Sequence, residues 1–165
     1  MITDFKQKYS ERWEHSNARE LLAASWLSAL GLQPRPIGHG TLSSERLPYY
    51  HVDVTDKYDF IDPTIPALFE VTGTDWRRHQ SAKRFKIPVI PVLKAKVDYA
   101  HYHGLERYLW FVAVAEYQGE IRLLPCTLAS QYPLGRYARG EGEYYLIPWD
   151  AWWTPARALE KLVRK

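Results

Sequence analysis

Asp59 and Glu70 stand on either side of the tetrapeptide Pro63-Thr64-Ile65-Pro66, and both lie in short segments with strand-like composition. Lys57-Tyr58-Asp59-Phe60-Ile61-Asp62 leads into the tetrapeptide and Ala67-Leu68-Phe69-Glu70-Val71-Thr72 leads out of it, so the whole reads as a hairpin. A four-residue turn that closes symmetrically pairs residues whose numbers sum to 129, which sets Asp59 directly opposite Glu70. Side chains alternate along a strand, so Lys57, Asp59 and Ile61 then share a face with Leu68, Glu70 and Thr72. Directly opposed Cβ atoms lie about 5 Å apart, where two like charges destabilise a sheet. A divalent cation held between the two carboxylates would remove that penalty, because hard oxygen donors suit such an ion. A register shifted by one residue would instead send the acids to opposite faces.

Two further groups of charge bear on this pair. Glu20 falls in a helical pattern in line with Ala23, Ala24 and Leu27, so it borders the apolar stripe and can join the acids. The alternative for Glu20 is an exposed acid complementing the dipole of the first helical turn. Downstream, Arg77 to Lys96 contains Arg77, Arg78, Lys83, Arg84, Lys86, Lys94 and Lys96 and no acid. That strip carries +7 in a chain whose total is +3, which leaves −4 for the remainder. Acids gather just upstream, at Asp53, Asp56, Asp59, Asp62, Glu70 and Asp75. A basic strip beside an acidic cluster suits an anionic partner; a solvated surface of uneven charge is the plainer explanation.

The elements that must position these groups follow from local pattern. Asn17 to Leu30 has a helical apolar period, with Gly31 placed to cap it. Gln33 to Ile37, broken by prolines, suits a short edge strand. After the hairpin, Thr74 or Asp75 can start a helix from Trp76 to about Phe85, and Ile87 to Leu93 reads as a buried strand. Leu109 to Glu116 and Glu120 to Pro125 form a second hairpin, Tyr144 to Pro148 a late strand, and Thr154-Pro155 opens a final helix. The mixture is α/β. With 165 residues and no repeat or linker, one domain is expected over 1–165.

Composition removes several classes. Hydrophobic residues make up 46% and charged residues 25%, so disorder and coiled-coil architectures are disfavoured. The lone Cys126 excludes an internal disulfide and reads as a small core residue on a strand. Leu109 to Ala115, the longest apolar run, falls far short of the ~20 residues of a membrane span. The polar opening Met1-Ile2-Thr3-Asp4 is unlike a signal peptide, so a cytoplasmic location is expected. His101 and His103 would share one strand face and could bind zinc, but no third ligand stands nearby, which favours two loop histidines; His79 is read as a surface residue. Trp149, Trp152 and Trp153 could stack on unpaired bases, although core packing or a dimer contact is the commoner use.

The order of parts, a helix with an acid, a strand with Asp59, a turn, Ala67-Leu68-Phe69-Glu70-Val71-Thr72-Gly73, a basic helix and a buried strand, resembles the PD-(D/E)XK, or restriction-endonuclease-like, nuclease superfamily. The resemblance covers about residues 17–93 and leaves 97–165 as an extension of the same domain. It implies an αβββαβ core with a central mixed sheet flanked by helices, plus a C-terminal hairpin and helix. It further implies phosphodiester hydrolysis in DNA, with Asp59, Glu70, the Val71 carbonyl and Glu20 holding Mg²⁺ or Mn²⁺. Relatives are often homodimers. Tyr58 stands where the family often has proline, and Thr72 where it places its lysine. Thr72 carries no charge, so a lysine from elsewhere is expected, Lys83 first and Lys57 second. Absent such a lysine, the resemblance implies a catalytically inactive nucleic-acid-binding protein that uses the same basic strip.

Overall fold

A computed structural model describes residues 19–37, 58–73, 89–115, 119–136 and 142–163. Helix α1 covers residues 19–29 and buries Ala23 and Leu27, one helical turn apart. It ends as its sequence dictates: Gly31 takes φ 92°, Leu32 N–H donates to the Leu27 carbonyl at 3.1 Å, and Gly31 N–H donates to Ser28 at 3.0 Å. Replacing Leu27 by alanine would cost about 2–5 kcal/mol, because the side chain is fully buried.

Strands β1 (Arg35–Pro36), β2 (Phe60–Asp62), β3 (Ala67–Gly73), β5 (Leu109–Ala115) and β6 (Glu120–Pro125) form a five-stranded sheet in the order β1-β2-β3-β5-β6. A second sheet of three strands has β4 (Val89–Leu93) and β7 (Leu134–Arg136) on either side of β8 (Glu143–Pro148). Every pairing is antiparallel except β3 with β5, which run parallel with Glu70 beside Phe111. Helix α2 (Lys94–Tyr102) follows β4 directly; a helical turn α3 (Cys126–Ala129) follows β6; α4 (Pro155–Val163) closes the described chain.

The large sheet has two different faces. Phe60, Phe69, Trp110, Val112 and Val114 point toward α1 and α4 and pack with Leu27, Ala158 and Leu162. Ile61, Leu68, Phe111 and Ala113 point the other way, onto Ile90, Val92 and Ile147 of the small sheet and Val97 and Ala100 of α2. Strand β5 is buried along its whole length, as an apolar run between two neighbours must be. Close approach also fixes β7: a Cβ on Gly135 would meet Leu146 Cδ1 at 2.7 Å.

The central mixed sheet flanked by helices agrees with the sequence reading, and three details correct it. The strand expected over Ile87–Leu93 is present as β4, but it pairs with β8 in the small sheet while β5 runs beside β3, so the large sheet does not end near residue 93. Residues 94–102 are helical, so His101 and His103 share no strand face. Cys126 opens the α3 turn, because β6 ends at Pro125; it is buried and its thiol is pushed up to about 12 by burial. The three tryptophans are structural: Trp149 and Trp152 are buried, and Trp153 meets Trp110 at 5.7 Å. The helix expected at 76–85 lies outside the described residues. Among the described residues no helix is long and apolar enough to cross a membrane.

Candidate active site

The β2–β3 ladder pairs Phe60 with Phe69, Ile61 with Leu68 and Asp62 with Ala67, the register that a four-residue turn imposes. The turn itself is built by Asp62. Its buried carboxylate accepts Thr64 N–H at 3.0 Å, the Thr64 hydroxyl at 2.5 Å and Gln33 N–H at 2.8 Å. Each oxygen is satisfied, and the hairpin is thereby tied to the segment after α1.

At the opposite end the ladder breaks. Asp59 N–H donates to the Phe69 carbonyl at 3.1 Å and its own carbonyl accepts Ile37 N–H at 3.1 Å, so the backbone is pinned from both sides. Its carboxylate then replaces the ladder, with Oδ2 accepting Val71 N–H at 2.7 Å. The break leaves Asp59 facing Glu70, near enough for its charge to act on the Glu70 carboxyl. Glu20, at the start of α1, hydrogen-bonds Asp59. The structure therefore brings together Glu20, Asp59 and Glu70, with Asp59 as the common partner.

The fourth member is Lys96. Its Nζ lies 3.5 Å from Glu70 Oε2, within ion-pair range but not hydrogen-bonded to it, and Glu70 Oε2 is buried with no hydrogen-bond partner. Lys96 is held from beneath by Tyr58: the Tyr58 hydroxyl donates to the Lys96 carbonyl at 3.1 Å and the ammonium sits 5.7 Å from the ring centroid. Tyr58 is itself buried, and burial raises its phenol. Among the described residues, no group of three or more His, Cys, Asp or Glu side chains is spaced to hold a metal ion.

Electrostatics follow from burial. Glu20 is pushed up to about 8, first by burial and then by its hydrogen bond to Asp59 and that group's charge. Glu70 is raised well above the carboxylate range by burial and by Asp59, with Lys96 acting in the opposite sense. Carboxyls that touch need a shared proton or a cation between them. Ionised together, three carboxylates against one ammonium leave two net negative charges, the number a divalent cation neutralises. The orphaned Glu70 oxygen is the observation that fits such an ion to these residues.

The remaining candidates fall as follows. Thr72 donates its hydroxyl to the Pro91 carbonyl at 3.2 Å and so ties β3 to β4. Lys94 turns away from the site to pair with Asp98 at 2.5 Å. Val71 contributes its N–H to Asp59. Lys57, Arg77, Arg78, Lys83, Arg84 and Lys86 lie outside the described residues. Sequence reasoning placed Lys96 among phosphate-binding cations and missed its place beside Glu70. The available signal was helical: Val97 and Ala100 are the buried residues of α2, and a helix starting at Lys94 sends Lys94 and Lys96 in different directions.

A family model described as viral/archaeal nuclease matches residues 24–157, a span that includes Asp59, Glu70 and Lys96 and stops short of Glu20. The uncharacterized protein D-244 of Sulfolobus spindle-shape virus 1 is 25% identical over 132 residues, 72% of this chain and 54% of its own length. The chain thus spans about half the length of the curated relative it matches. The solved structure of D212, a nuclease from a fusselovirus, superposes with a TM-score of 0.58 at 19% identity, covering 92% of this chain and 90% of that one. At that identity the likeness is one of fold.

Proposed function

The chain belongs to the viral/archaeal nuclease family, and from that premise we propose that it hydrolyses phosphodiester bonds in DNA with a divalent cation at Asp59 and Glu70, on the PD-(D/E)XK plan. One observation carries the reading. Two acids from neighbouring strands face each other around a buried carboxylate oxygen that no donor satisfies, with an ammonium alongside. A structural role offers no account of that arrangement, since like charges so placed weaken the sheet.

Asp59 and Glu70 would hold Mg²⁺ or Mn²⁺, with Glu20 and the Val71 carbonyl as further oxygen donors. When bound, the ion lowers the pKa of water and offsets charge building on the phosphorus oxygens. The chain's own residues do the rest. Asp59 is fixed by Val71 N–H at Oδ2, which orients its carboxylate for a ligand. Glu20, pushed up to about 8, holds a proton near neutral pH when no ion is bound and would give it up to an ion that binds. Lys96, steadied by Tyr58, supplies the positive charge that the family places on a lysine two residues after the Glu. The basic strip would grip backbone phosphates. With about five phosphate contacts, from Arg77, Arg78, Lys83, Arg84 and Lys86, binding would fall roughly 500-fold between 50 and 200 mM salt.

The test is cleavage of duplex, branched and single-stranded DNA, and of RNA, by purified protein with Mg²⁺ or Mn²⁺. Loss of cleavage in Asp59→Ala and Glu70→Ala is the expected result; cleavage unchanged in both sinks the site. A second reading, an inactive nucleic-acid-binding protein, is favoured by Thr72, whose hydroxyl is engaged with Pro91. It predicts salt-sensitive binding with no cleavage under any divalent ion.

A further inference from the structure

The largest exposed aromatic ring among the described residues is Tyr102, 85% accessible at the end of α2. A tyrosine left in water at this level has no packing role, yet its ring is not isolated. It stands edge-on to His103, with centroids 5.0 Å apart. His103 in turn lies against Tyr99 at 4.2 Å, and Tyr99 meets Tyr58 edge-on at 6.2 Å. Tyr58 carries Lys96 over its ring, and Lys96 reaches Glu70. An unbroken row of rings therefore runs from the carboxylates to the surface.

Helix geometry explains the row. Lys96, Tyr99 and His103 are three and seven positions apart and so lie on one face of α2, with Tyr102 on its flank. The helix then ends because Gly104 takes φ 69°, with Leu105 N–H donating to the Ala100 carbonyl at 2.7 Å. That cap fixes His103, and His103 braces one edge of the Tyr102 ring. From Lys96 to His103 the axis rises about 10 Å, at ~1.5 Å per residue, a reach of roughly one or two nucleotides of an extended strand.

We infer that Tyr102, braced by His103, is a stacking platform for an unpaired nucleobase next to a phosphate held at Lys96, which makes single-stranded or frayed DNA the preferred substrate. The inference rests on the nuclease reading above. The reason for an unpaired base is steric: within a duplex both faces of each base are covered by its neighbours, so a protruding ring has nothing to stack upon. A strand whose bases are splayed presents a free π-face, and every base has one, so the contact confers no sequence preference.

The experiment uses the full chain and oligonucleotides carrying 2-aminopurine, whose fluorescence is quenched on stacking. Tyr102→Ala is expected to raise KM for a single-stranded oligonucleotide by about tenfold with kcat nearly unchanged, to leave duplex binding unaltered, and to abolish the quenching at one or two positions from the cut. Tyr102→Trp should restore both. Wild-type and Tyr102→Ala proteins with equal KM on single strands and equal quenching would overturn the inference alone, as would a wild type that acts only on duplexes. A wild type that neither binds nor cuts any nucleic acid would overturn the nuclease reading and this inference together.

Discussion

The two ends of the β2–β3 hairpin each cover carboxylate oxygens, and they treat them in opposite ways. At the turn, Asp62 is 1% exposed and its two oxygens take three donors, two of them backbone N–H groups that would otherwise be orphaned. At the open end, Glu70 is half-buried, with its covered Oε2 unsatisfied and another carboxylate as its neighbour. Burial of an acid is therefore no sign of function by itself. The sign is unmet bonding capacity beside a second charge of the same kind. One acid holds the chain in shape; the other makes the fold less stable than it could be.

That contrast can be broken by substitution. Glu70→Gln should lower cleavage by about 10³-fold or more, the several kcal/mol of charge stabilisation a divalent ion supplies, while raising the melting temperature of the metal-free protein at pH 8. A variant that melts lower under those conditions would count against the strain assigned to this end. Asp62→Ala should do the reverse, losing about 3 kcal/mol of stability by stranding buried donors, with kcat intact at temperatures where it stays folded. Chemical denaturation and single-turnover cleavage separate the two. Lys96→Met should cut kcat by about 10²-fold with little change in KM, and Lys96→Arg should recover part of it.

The smallest effect is on the pH dependence of stability without metal. The folded chain holds protons on Glu20 and Glu70 more tightly than the unfolded chain does. The Glu20 contribution is complete below about 4.5 and is lost as pH rises through about 8, and the Glu70 contribution is lost in the same direction, so melting in EDTA should fall across that window. Saturating Mg²⁺ should flatten the decline, since the ion takes the place of the protons, and Glu20→Gln should remove its upper part. A melting temperature in EDTA that rises from pH 5 to 8 in wild type, by more than in Glu20→Gln, would contradict the assignment.

The hairpin was legible because a short turn between two strands leaves few registers, and because Pro63 and Pro66 bracket it. The break at Asp59 was not, since a side chain standing in for a ladder bond has no local signature. Helix α2 was hidden for a different reason. It begins straight from β4 at Leu93, with no side-chain cap and no acid in its first turn, so the usual start signals are missing. The spacing of His101 and His103 then imitates a strand. The partner of β4 was likewise invisible: β8 lies far along the chain, and such distant pairings are set by the packed core, not by either segment's composition. Lys96 became recognisable only when both α2 and Tyr58 were in place.

The parallel contact between β3 and β5 has a consequence for biosynthesis. Glu70 runs beside Phe111, so the strand bearing it is flanked on that side only after the ribosome has released the chain past β5. A product that ends before β5 leaves the hairpin that carries the acids without its parallel neighbour. Lateral support for the strand that carries Glu70 therefore arrives late in synthesis.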